Sequence, residues 1–335
     1  MARDAGNACH GEPAMKPALS TLVERFLQER RRLGFEPNSI AYALRSLVDH
    51  VRRTGHRGPL TLEVMAQWAR QDSRGSAEPR TWAGRLKKLR SFTRWLQQFE
   101  PRTEVPDDTI FGRLPARQAP HIYSEREIEE LLAAARRLDP KPGLRGLTYE
   151  TLFGLIACTG MRVSEAVSLR NGDVDLKRAM LTIRRSKFSK SRQVPIVLSA
   201  VQALRQYRWM RELAGASQDE AAAFFVSDGV RRRAAPLRRS QAEQVFAELR
   251  DELGWVNRGT HHAPRIHDLR HTFVVRRILL WQQQGVDVDQ AMLSLSTYVG
   301  HAMVTNTYWY LQAVPELMAV SAQRFESCMP EVDHA

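Results

Sequence analysis

An apolar pattern of helical period dominates the first hundred residues. Apolar residues recur at spacings of three and four in the segments 17–33, 40–51, 62–69 and 81–99. Gly34 and Gly55 follow the first two segments as helix-ending residues, and Thr61 precedes the third as a helix cap. Residues 1–16 show no such period. The pattern therefore predicts a flexible tail over 1–16 and a compact bundle of four helices over 17–100.

A proline-rich stretch separates this bundle from the rest of the chain. Residues 101–120 contain four prolines and no sustained apolar period, which is typical of an extended linker. A chain of 335 residues has the length expected of two domains. We therefore predict a second domain over 121–328, followed by a short tail over 329–335.

The second part mixes helical periods with a short alternating pattern. Ser124 and Glu127 have the spacing of a capping box at the start of a helix. Over 173–198 the period changes to alternation, which predicts a β-hairpin with Leu198 on its second strand. Farther along the chain, a loop with a turn at Pro236 is predicted, flanked by Arg231, Arg232 and Arg233 on one side and by Arg238 and Arg239 on the other. Further helices are predicted over 147–158, 240–253, 267–284 and 315–327.

The chain carries an excess of basic residues. The chain has 50 Lys and Arg against 37 Asp and Glu, a net charge of +13, so an acidic partner such as nucleic acid is expected. One basic run in the fourth predicted helix is charged on one side and apolar on the other. It consists of Arg85, Lys87, Lys88 and Arg90. Such a run fits a helix lying along a phosphate backbone, and equally a solvated helix face.

Cysteine usage and hydropathy exclude several classes of protein. Cys9, Cys158 and Cys328 lie far apart without CxxC or CxxH spacing, which argues against a disulfide scaffold, a zinc finger and an iron–sulfur site. No apolar run approaches the roughly 20 residues that span a bilayer, and the chain does not open with a signal-peptide pattern. We therefore expect a cytoplasmic protein with no metal, no cofactor and no membrane partner.

Five short segments of the second part place basic or phenolic residues in regular surroundings. In the first, a helix ends at Gly160 and restarts with Arg162 at the turn. Glu165 could orient this guanidinium toward a phosphate. The other four segments contain a basic hairpin, an H-x-x-R spacing at a helix start, a Gly-His pair and a tyrosine. Their candidate residues are Lys187 and Lys190, His267 and Arg270, His301, and Tyr310.

Each segment taken alone has an ordinary structural explanation. Arg162 would be a surface arginine paired with Glu165, and the hairpin lysines would belong to a solvated turn. His267 would be a cap or a core histidine, and His271 on the next turn would be the same. These explanations would all have to hold independently, so the five segments together favour a functional site.

In this order and spacing, the segments resemble the tyrosine recombinase (phage integrase) family. Its signature is an Arg in T-G-x-R-x-S-E, a Lys in a β-hairpin, an H-x-L-R box, a G-H pair and a Tyr nine positions after that His. The resemblance covers about 17–328. It implies a mainly α fold with a small β-sheet, in which a helical core-binding (SAM-like) domain precedes a mixed α/β catalytic domain. The implied catalytic residues are Arg162, Lys187, His267, Arg270, His301 and Tyr310.

Two of these positions have a neighbouring competitor. Lys190 lies close to Lys187, and placing 194–196 on the family's V-P-L-like strand favours Lys187. Tyr308 precedes Tyr310 by two positions, so the two rings face opposite sides of a helix. The spacing of nine from the histidine selects the second tyrosine as the nucleophile, and the first is expected to pack.

The resemblance implies cleavage and rejoining of DNA through a 3′-phosphotyrosyl intermediate, without metal or ATP. A tyrosine has an ordinary pKa of about 10 and must lose its proton to attack a phosphodiester, and negative charge grows in the transition state. Arg162 and Arg270 would clamp that charge, and Lys187 would protonate the departing 5′ oxygen. His267 would assist the nucleophile, and His301 would donate to a phosphate oxygen.

The implied partner is double-stranded DNA with specific recombination sites, bound by a homotetramer on two sites. The helix over 315–327 would dock on a neighbouring protomer. A partner recombinase or a directionality factor is a further candidate partner. The role would be DNA integration, excision or transposition, with a mobile element favoured, in the cytoplasm and associated with a prokaryotic nucleoid. The expected DNA contacts are Arg85, Lys87, Lys88, Arg90 and Lys190.

Two other functions share parts of this pattern. A type IB topoisomerase-like strand transferase has similar Arg, Lys, His and Tyr chemistry, and a non-catalytic DNA-binding protein could have the same fold. The two-domain length and the spacing of His301 and Tyr310 favour the recombinase over the topoisomerase. The presence of all six catalytic residues argues against a protein that only binds.

Overall fold

The computed structural model of the chain describes residues 17–35, 38–71, 78–112, 119–138, 144–184, 191–229, 232–256, 263–301 and 303–313. These residues form two compact units, one up to residue 112 and one from residue 119. The predicted tails and the predicted helix over 315–327 lie outside the described residues. No helix in the described part of the chain combines the length and the apolar character needed to cross a membrane.

The first unit is a bundle of four helices, as the apolar pattern predicts. They are α1 (Leu19–Arg32), α2 (Asn38–Thr54), α3 (Leu62–Arg70) and α4 (Pro79–Leu96). Thr61 caps α3, its hydroxyl accepting a hydrogen bond from the Val64 amide at 3.4 Å. Leu27, Leu44 and Phe92 from three of the helices are fully buried in one apolar core. Burial of this stripe, about 25 cal/mol per Å² of apolar surface, stabilises the bundle.

Residues that follow α4 bond back to this unit. The Thr103 carbonyl accepts from Gln97 at 2.8 Å, and the Glu104 amide donates to the Leu60 carbonyl at 2.9 Å. Thr103 itself is buried. The first residues of the predicted linker therefore pack on the helical bundle.

The second unit contains eight helices and two small antiparallel sheets among its described residues. The helices are α5 (Glu125–Arg136), α6 (Leu144–Thr159), α7 (Val163–Val167), α8 (Leu198–Leu213), α9 (Arg239–Glu252), α10 (Ile266–Gln283), α11 (Val288–Val299) and α12 (Thr305–Ala313). The capping box predicted at the start of α5 is present: the Glu127 amide donates to the Ser124 hydroxyl, and the Ser124 amide donates to the Glu127 carboxylate. The fold class predicted from the sequence is thus confirmed.

The predicted hairpin forms two strands of a three-stranded sheet. The strands of this sheet are β1 (Val174–Asp175), β2 (Met180–Ile183) and β3 (Arg192–Pro195), in the order β1-β2-β3. The hairpin consists of β2 and β3. Leu181 lies opposite Val194, and both are buried. Since alternate residues share a face, Arg192 lies on the same inward face as Val194.

Two details of the predicted secondary structure were wrong. Leu198 is not on the second strand: it begins α8 and is 72% exposed, because the pairing of β3 ends at Pro195. The stretch before Pro236 is not a loop, since residues 232–236 form β5 and pair with β4 (Val226–Gly229). Pro236 occupies the end of its strand, where a missing N–H costs little.

Helix α6 lies in the middle of the second unit, against α5, α8 and α10. Leu152, Phe153 and Ile156 are buried on different sides of it, as expected of a helix that is apolar all round. The helix ends before Gly160, whose φ of 62° is strained for a residue with a Cβ. A Cβ at this position would also overlap the Phe273 ring of α10. The glycine is therefore required for the turn that follows α6.

Candidate active site

The turn after α6 positions the first arginine. Arg162 is half-buried at the N-terminal cap of α7. Its guanidinium donates to Glu165 at 2.7 Å and to the Gly300 carbonyl at 2.7 Å. The arginine thus joins α7 to the end of α11, 138 residues later in the chain.

Arg192, which was not among the predicted site residues, completes this part of the site. Its guanidinium makes a two-pronged contact with the carboxylate of Glu165, at 3.1 and 2.9 Å, and its Nε donates to the Tyr298 carbonyl at 2.8 Å. Burial alone would raise the pKa of Glu165, but the hydrogen bonds and charge of Arg192, with the help of Arg162, lower it to about 2. Its inward position on β3 is the sequence signal that could have identified this arginine.

Gly300 lies where these arginines meet. It caps α11 with a φ of 70°, and a Cβ there would lie 2.6 Å from a nitrogen of Arg192. The next residue, His301, is half-buried, with its Nδ1 2.7 Å from the hydroxyl of Thr307 on α12. The first residue of the predicted Gly-His pair must therefore be glycine, because the backbone there is left-handed and Arg192 leaves no room for a Cβ.

Gly300→Ala is expected to cost more stability than the same change at Gly285. Both glycines have φ near 70°, so both variants incur a left-handed backbone cost of about 1–2 kcal/mol. At Gly285 an added Cβ meets none of the described atoms within 4 Å, whereas at Gly300 it meets Arg192. We expect Gly300→Ala to lose about 1–3 kcal/mol more, measured by urea denaturation. Equal losses in the two variants would contradict this role of the glycine.

Arg270 is the second arginine of the site and is 1% exposed on α10. Its Nη1 donates to the Gly160 carbonyl at 2.7 Å, while its Nη2 is buried and has no hydrogen-bond partner among the described residues. Burial, followed by the neighbouring charge of Arg162, lowers the pKa of Arg270 to about 9. The group therefore stays positive at neutral pH, and an anion would satisfy both its charge and its Nη2.

Tyr310 lies in the same cluster and is 1% exposed. Its hydroxyl oxygen is 2.5 Å from Nδ1 of His271, and its ring stacks with His301 at 6.4 Å between centroids. Tyr308 faces away, its hydroxyl donating to Asp289 at 3.1 Å. The two tyrosines thus lie on different sides of α12, as expected.

The two histidines of α10 lie in different surroundings. His267, the histidine of the H-x-x-R spacing, is exposed, and its ring lies 4.7 Å from the ring of His271. His271 is buried and contacts the Tyr310 hydroxyl. The resemblance selects His267, whereas helical spacing alone does not separate the two, because residues four apart lie on one face of a helix.

The structure brings together five of the six predicted catalytic residues. The sixth, Lys187, lies outside the described residues, as does its competitor Lys190. The cluster is cationic, and no group of His, Cys, Asp or Glu within the described ranges could hold a metal ion. The residues brought together are Arg162, His267, Arg270, His301 and Tyr310.

The predicted DNA contacts of the first unit fall into two kinds. Arg85 lies over the Trp68 ring at 4.4 Å and donates to the Trp68 carbonyl, and Arg90 is paired with Asp108 at 2.5 Å. These two arginines are therefore engaged within the unit. Lys87 and Lys88 on the same helix are exposed.

Two curated proteins illustrate the sequence relationships of the chain. A putative integrase/recombinase of Sinorhizobium fredii, y4rB, is 35% identical over 312 residues, which span 91% of this chain and 96% of that protein. The tyrosine recombinase XerC of Chromobacterium violaceum is 27% identical over 292 residues, 86% of this chain and 88% of its own. The similarity therefore extends over both units.

Solved structures show the same fold. The Tn1549 transposon integrase, in complex with transposon right end DNA, has a TM-score of 0.64 at 16% identity, over 92% of this chain and 100% of that chain. XerH, a site-specific recombinase bound to a palindromic difH substrate, has a TM-score of 0.56 at 19% identity, over 92% of this chain and 85% of that chain. The sequence model of the phage integrase family matches residues 122–316, more than half of the chain. With this match and the close relative in Sinorhizobium fredii, the chain belongs to the phage integrase family and is a tyrosine-type site-specific DNA recombinase.

Proposed function

We propose that the chain cleaves and rejoins duplex DNA through a 3′-phosphotyrosyl intermediate on Tyr310. The observation that supports this most directly is the convergence of Arg162, Arg270, His301 and Tyr310, from distant parts of the chain, in one cationic cluster. The phosphotyrosyl bond conserves the energy of the phosphodiester, so a 5′ hydroxyl can reverse the step. The proposed reaction therefore needs neither metal nor ATP.

In the proposed cleavage step, the Tyr310 oxygen attacks phosphorus and the bond to the 5′ oxygen breaks. Negative charge grows on the non-bridging oxygens, where Arg162 and Arg270 would donate paired hydrogen bonds in a site largely closed to water. His301 would add a third donor. By family resemblance, Lys187 would protonate the departing 5′ oxygen, since an ammonium group gives up a proton more readily than a guanidinium.

A polar cleft beside Arg162 is a candidate path for the DNA backbone. Arg170 and Arg184 also line it, together with the hydroxyls of Ser164 and Ser168. Lysines and arginines that neutralise phosphates release counterions, so we expect binding to weaken steeply with salt, by about 10³-fold or more between 50 and 200 mM for six contacts. A gel-shift titration at several salt concentrations measures this slope. An affinity that does not change with salt would contradict binding of the DNA through its phosphates.

The proposed substrate is DNA with specific recombination sites, and the proposed assembly is a homotetramer on two sites. The structural neighbours named above were solved with DNA of this kind, a transposon end and a difH site. The helix over 315–327 is proposed to dock between protomers, and a directionality factor or a partner recombinase is a further candidate. Integration, excision or transposition of a mobile element in the cytoplasm, near a nucleoid, is the proposed setting.

Trapping of the covalent intermediate tests the proposal. The protein is incubated with DNA duplexes that carry the end sequences of the mobile element and a nick close to the cleavage site. After cleavage, the short fragment with the 5′ hydroxyl dissociates, so the strand cannot be rejoined. We expect a denaturation-resistant adduct whose tyrosyl peptide carries a 3′-phosphate, and no relaxation of supercoiled plasmid lacking the site. Relaxation of that plasmid would favour the topoisomerase alternative, and tight binding without an adduct would favour a protein that only binds.

A further inference from the structure

The nucleophile contacts a histidine that the catalytic set does not include. Nδ1 of His271 lies 2.5 Å from the hydroxyl oxygen of Tyr310, and both side chains are almost fully buried. The resemblance gives the role of assisting the nucleophile to His267, which is exposed and whose ring lies nearly perpendicular to that of His271, at 4.7 Å between centroids. The residue next to the reacting oxygen is therefore the second histidine of α10.

A buried carboxylate lies on the other side of the same imidazole. Nε2 of His271 is 4.0 Å from Oδ1 of Asp268, which is 2% exposed. Asp268 is held in place by Arg265, whose amide and guanidinium donate to its two oxygens at 2.9 and 3.0 Å. A proton on Nε2 would face this carboxylate and leave Nδ1 free to accept from the tyrosine. A carboxylate, an imidazole and a hydroxyl in this order form the arrangement in which a base activates a nucleophile and a third group orients the base.

The charged groups around His271 favour transfer of a proton to it. On its own helix it faces Asp268 and His267, and from α12 it faces Tyr310. Arg270 lies within electrostatic range of Tyr310, with His301 stacked on the tyrosine. The arginine favours negative charge on the phenolic oxygen, and Asp268 favours positive charge on the imidazole, so both stabilise the transferred state.

We propose that His271 is the general base of the reaction, which takes the Tyr310 proton during cleavage and returns it during rejoining. This inference rests on the proposed function. As the bond from the tyrosyl oxygen to phosphorus forms, the hydroxyl proton passes to Nδ1 and the resulting imidazolium faces Asp268. The bond from phosphorus to the 5′ oxygen breaks, and that oxygen takes its proton from the general acid. Rejoining reverses each transfer, so the protein ends as it began.

His271→Asn separates basicity from positioning, because an asparagine oxygen can take the place of Nδ1 as an acceptor but cannot hold the proton. Single-turnover cleavage of the nicked substrate is followed from about pH 6 to about pH 8.5, a range in which Arg270 keeps its positive charge. We expect the variant to cleave about 10²–10³-fold more slowly at neutral pH. Its rate should rise about tenfold per pH unit up to the highest pH, as for hydroxide-assisted ionisation, whereas the wild-type rate levels off. An unchanged rate, or a uniform loss without a change in the shape of the profile, would overturn the proposal.

A substrate with sulfur in place of the departing 5′ oxygen shows whether His271 acts on the nucleophile or on the leaving group. A thiolate leaves without protonation, so this substrate compensates for the loss of a general acid only. We expect His271→Asn to stay slow on it. Restored cleavage would assign His271 to the leaving group and overturn the proposal. His121→Asn serves as the matched control, since His121 is half-buried in the same unit, pairs with Glu127, and should leave the rate unchanged.

Asp268→Asn provides a second test that keeps the histidine in place. Removal of the negative charge disfavours the imidazolium, so the inflection of the pH profile should move to lower pH while the rate falls about tenfold. An inflection that does not move would overturn the proposal even if His271→Asn proved unable to fold. Failure of the wild type to form any adduct would instead refute the proposed function. An adduct that forms equally in all variants would refute only the role of His271.

Discussion

Tyr310→Phe is expected to abolish the covalent protein–DNA adduct, with no product above background, while Tyr308→Phe still forms it. The phenolic oxygen of Tyr310 lies in the cluster with Arg270 and His271, and a phenyl ring provides no nucleophile. Phenylalanine keeps the buried ring and its contacts, so the cost to stability is limited to one hydrogen bond, about 1 kcal/mol. The fold and DNA binding should therefore survive.

Tyr308→Phe is the matched control because it removes a hydroxyl from the same helix. That hydroxyl donates to Asp289, on the side of α12 away from the cluster. Both variants are mixed with the nicked substrate and resolved by denaturing electrophoresis, and gel shifts confirm binding. An adduct in Tyr310→Phe that disappears in Tyr308→Phe would reverse the assignment of the nucleophile. Adducts in both would place the nucleophile on another residue.

Much of the site was predictable because its parts have fixed spacings. Arg162 follows a helix-ending glycine, and Arg270 lies near the start of a helix, so local patterns locate both. Helical geometry placed Tyr308 and Tyr310 on opposite sides of a helix, and the spacing of nine from His301 selected Tyr310. The packing of these segments against one another was not predictable, since it depends on contacts between residues more than a hundred positions apart, such as Arg162 with Gly300.

Two features of the site escaped sequence reasoning for different physical reasons. His267 and His271 lie on one face of α10, and only the packing of α12 brings the second one to the tyrosine. Arg192 reads as another charge in a basic hairpin, yet its inward position on β3 buries it beside Glu165. The sequence signal for this arginine was its position two residues before the apolar Val194, which places both side chains on the same face of a strand.

Periodicity predicted the helices of the first unit and α5, α6, α9 and α10 of the second, but it gave no helix over Leu198–Leu213 or Val288–Val299. In the strands, pairing between segments overrode local preference. Residues 232–236 have the composition of a loop, but they pair with β4 across a bulge and form a strand. Leu198 continued an alternating pattern by chance, because the ladder of β3 had already ended. Local patterns thus predicted the helices better than the strands.

Arg192→Met is expected to lower the free energy of unfolding by about 2–4 kcal/mol, because the buried carboxylate of Glu165 loses two charged hydrogen bonds and keeps those from Arg162. Glu165 and Arg192 are both largely buried, at 7% and 10% side-chain exposure. Arg137→Met is the matched control. Its pair with Glu252 lies in the same unit, but the two side chains are 57% and 54% exposed, so its loss should cost about 1 kcal/mol or less. Urea denaturation at neutral pH measures both, and equal costs would contradict the stabilising role of the buried pair.

The same pair predicts how the effect of Arg192→Met depends on pH. The pKa of Glu165 is lowered from 4.5 to about 2 in the folded wild type, so its contribution is complete above about pH 4.5 and is lost as pH falls toward 2. That contribution amounts to about 3 kcal/mol. Without Arg192 the buried carboxyl protonates more easily, so the difference in unfolding free energy between wild type and variant should narrow over this range. A difference that stays constant down to about pH 3 would show that Arg192 stabilises the protein by packing, since only the ion pair depends on the charge of Glu165.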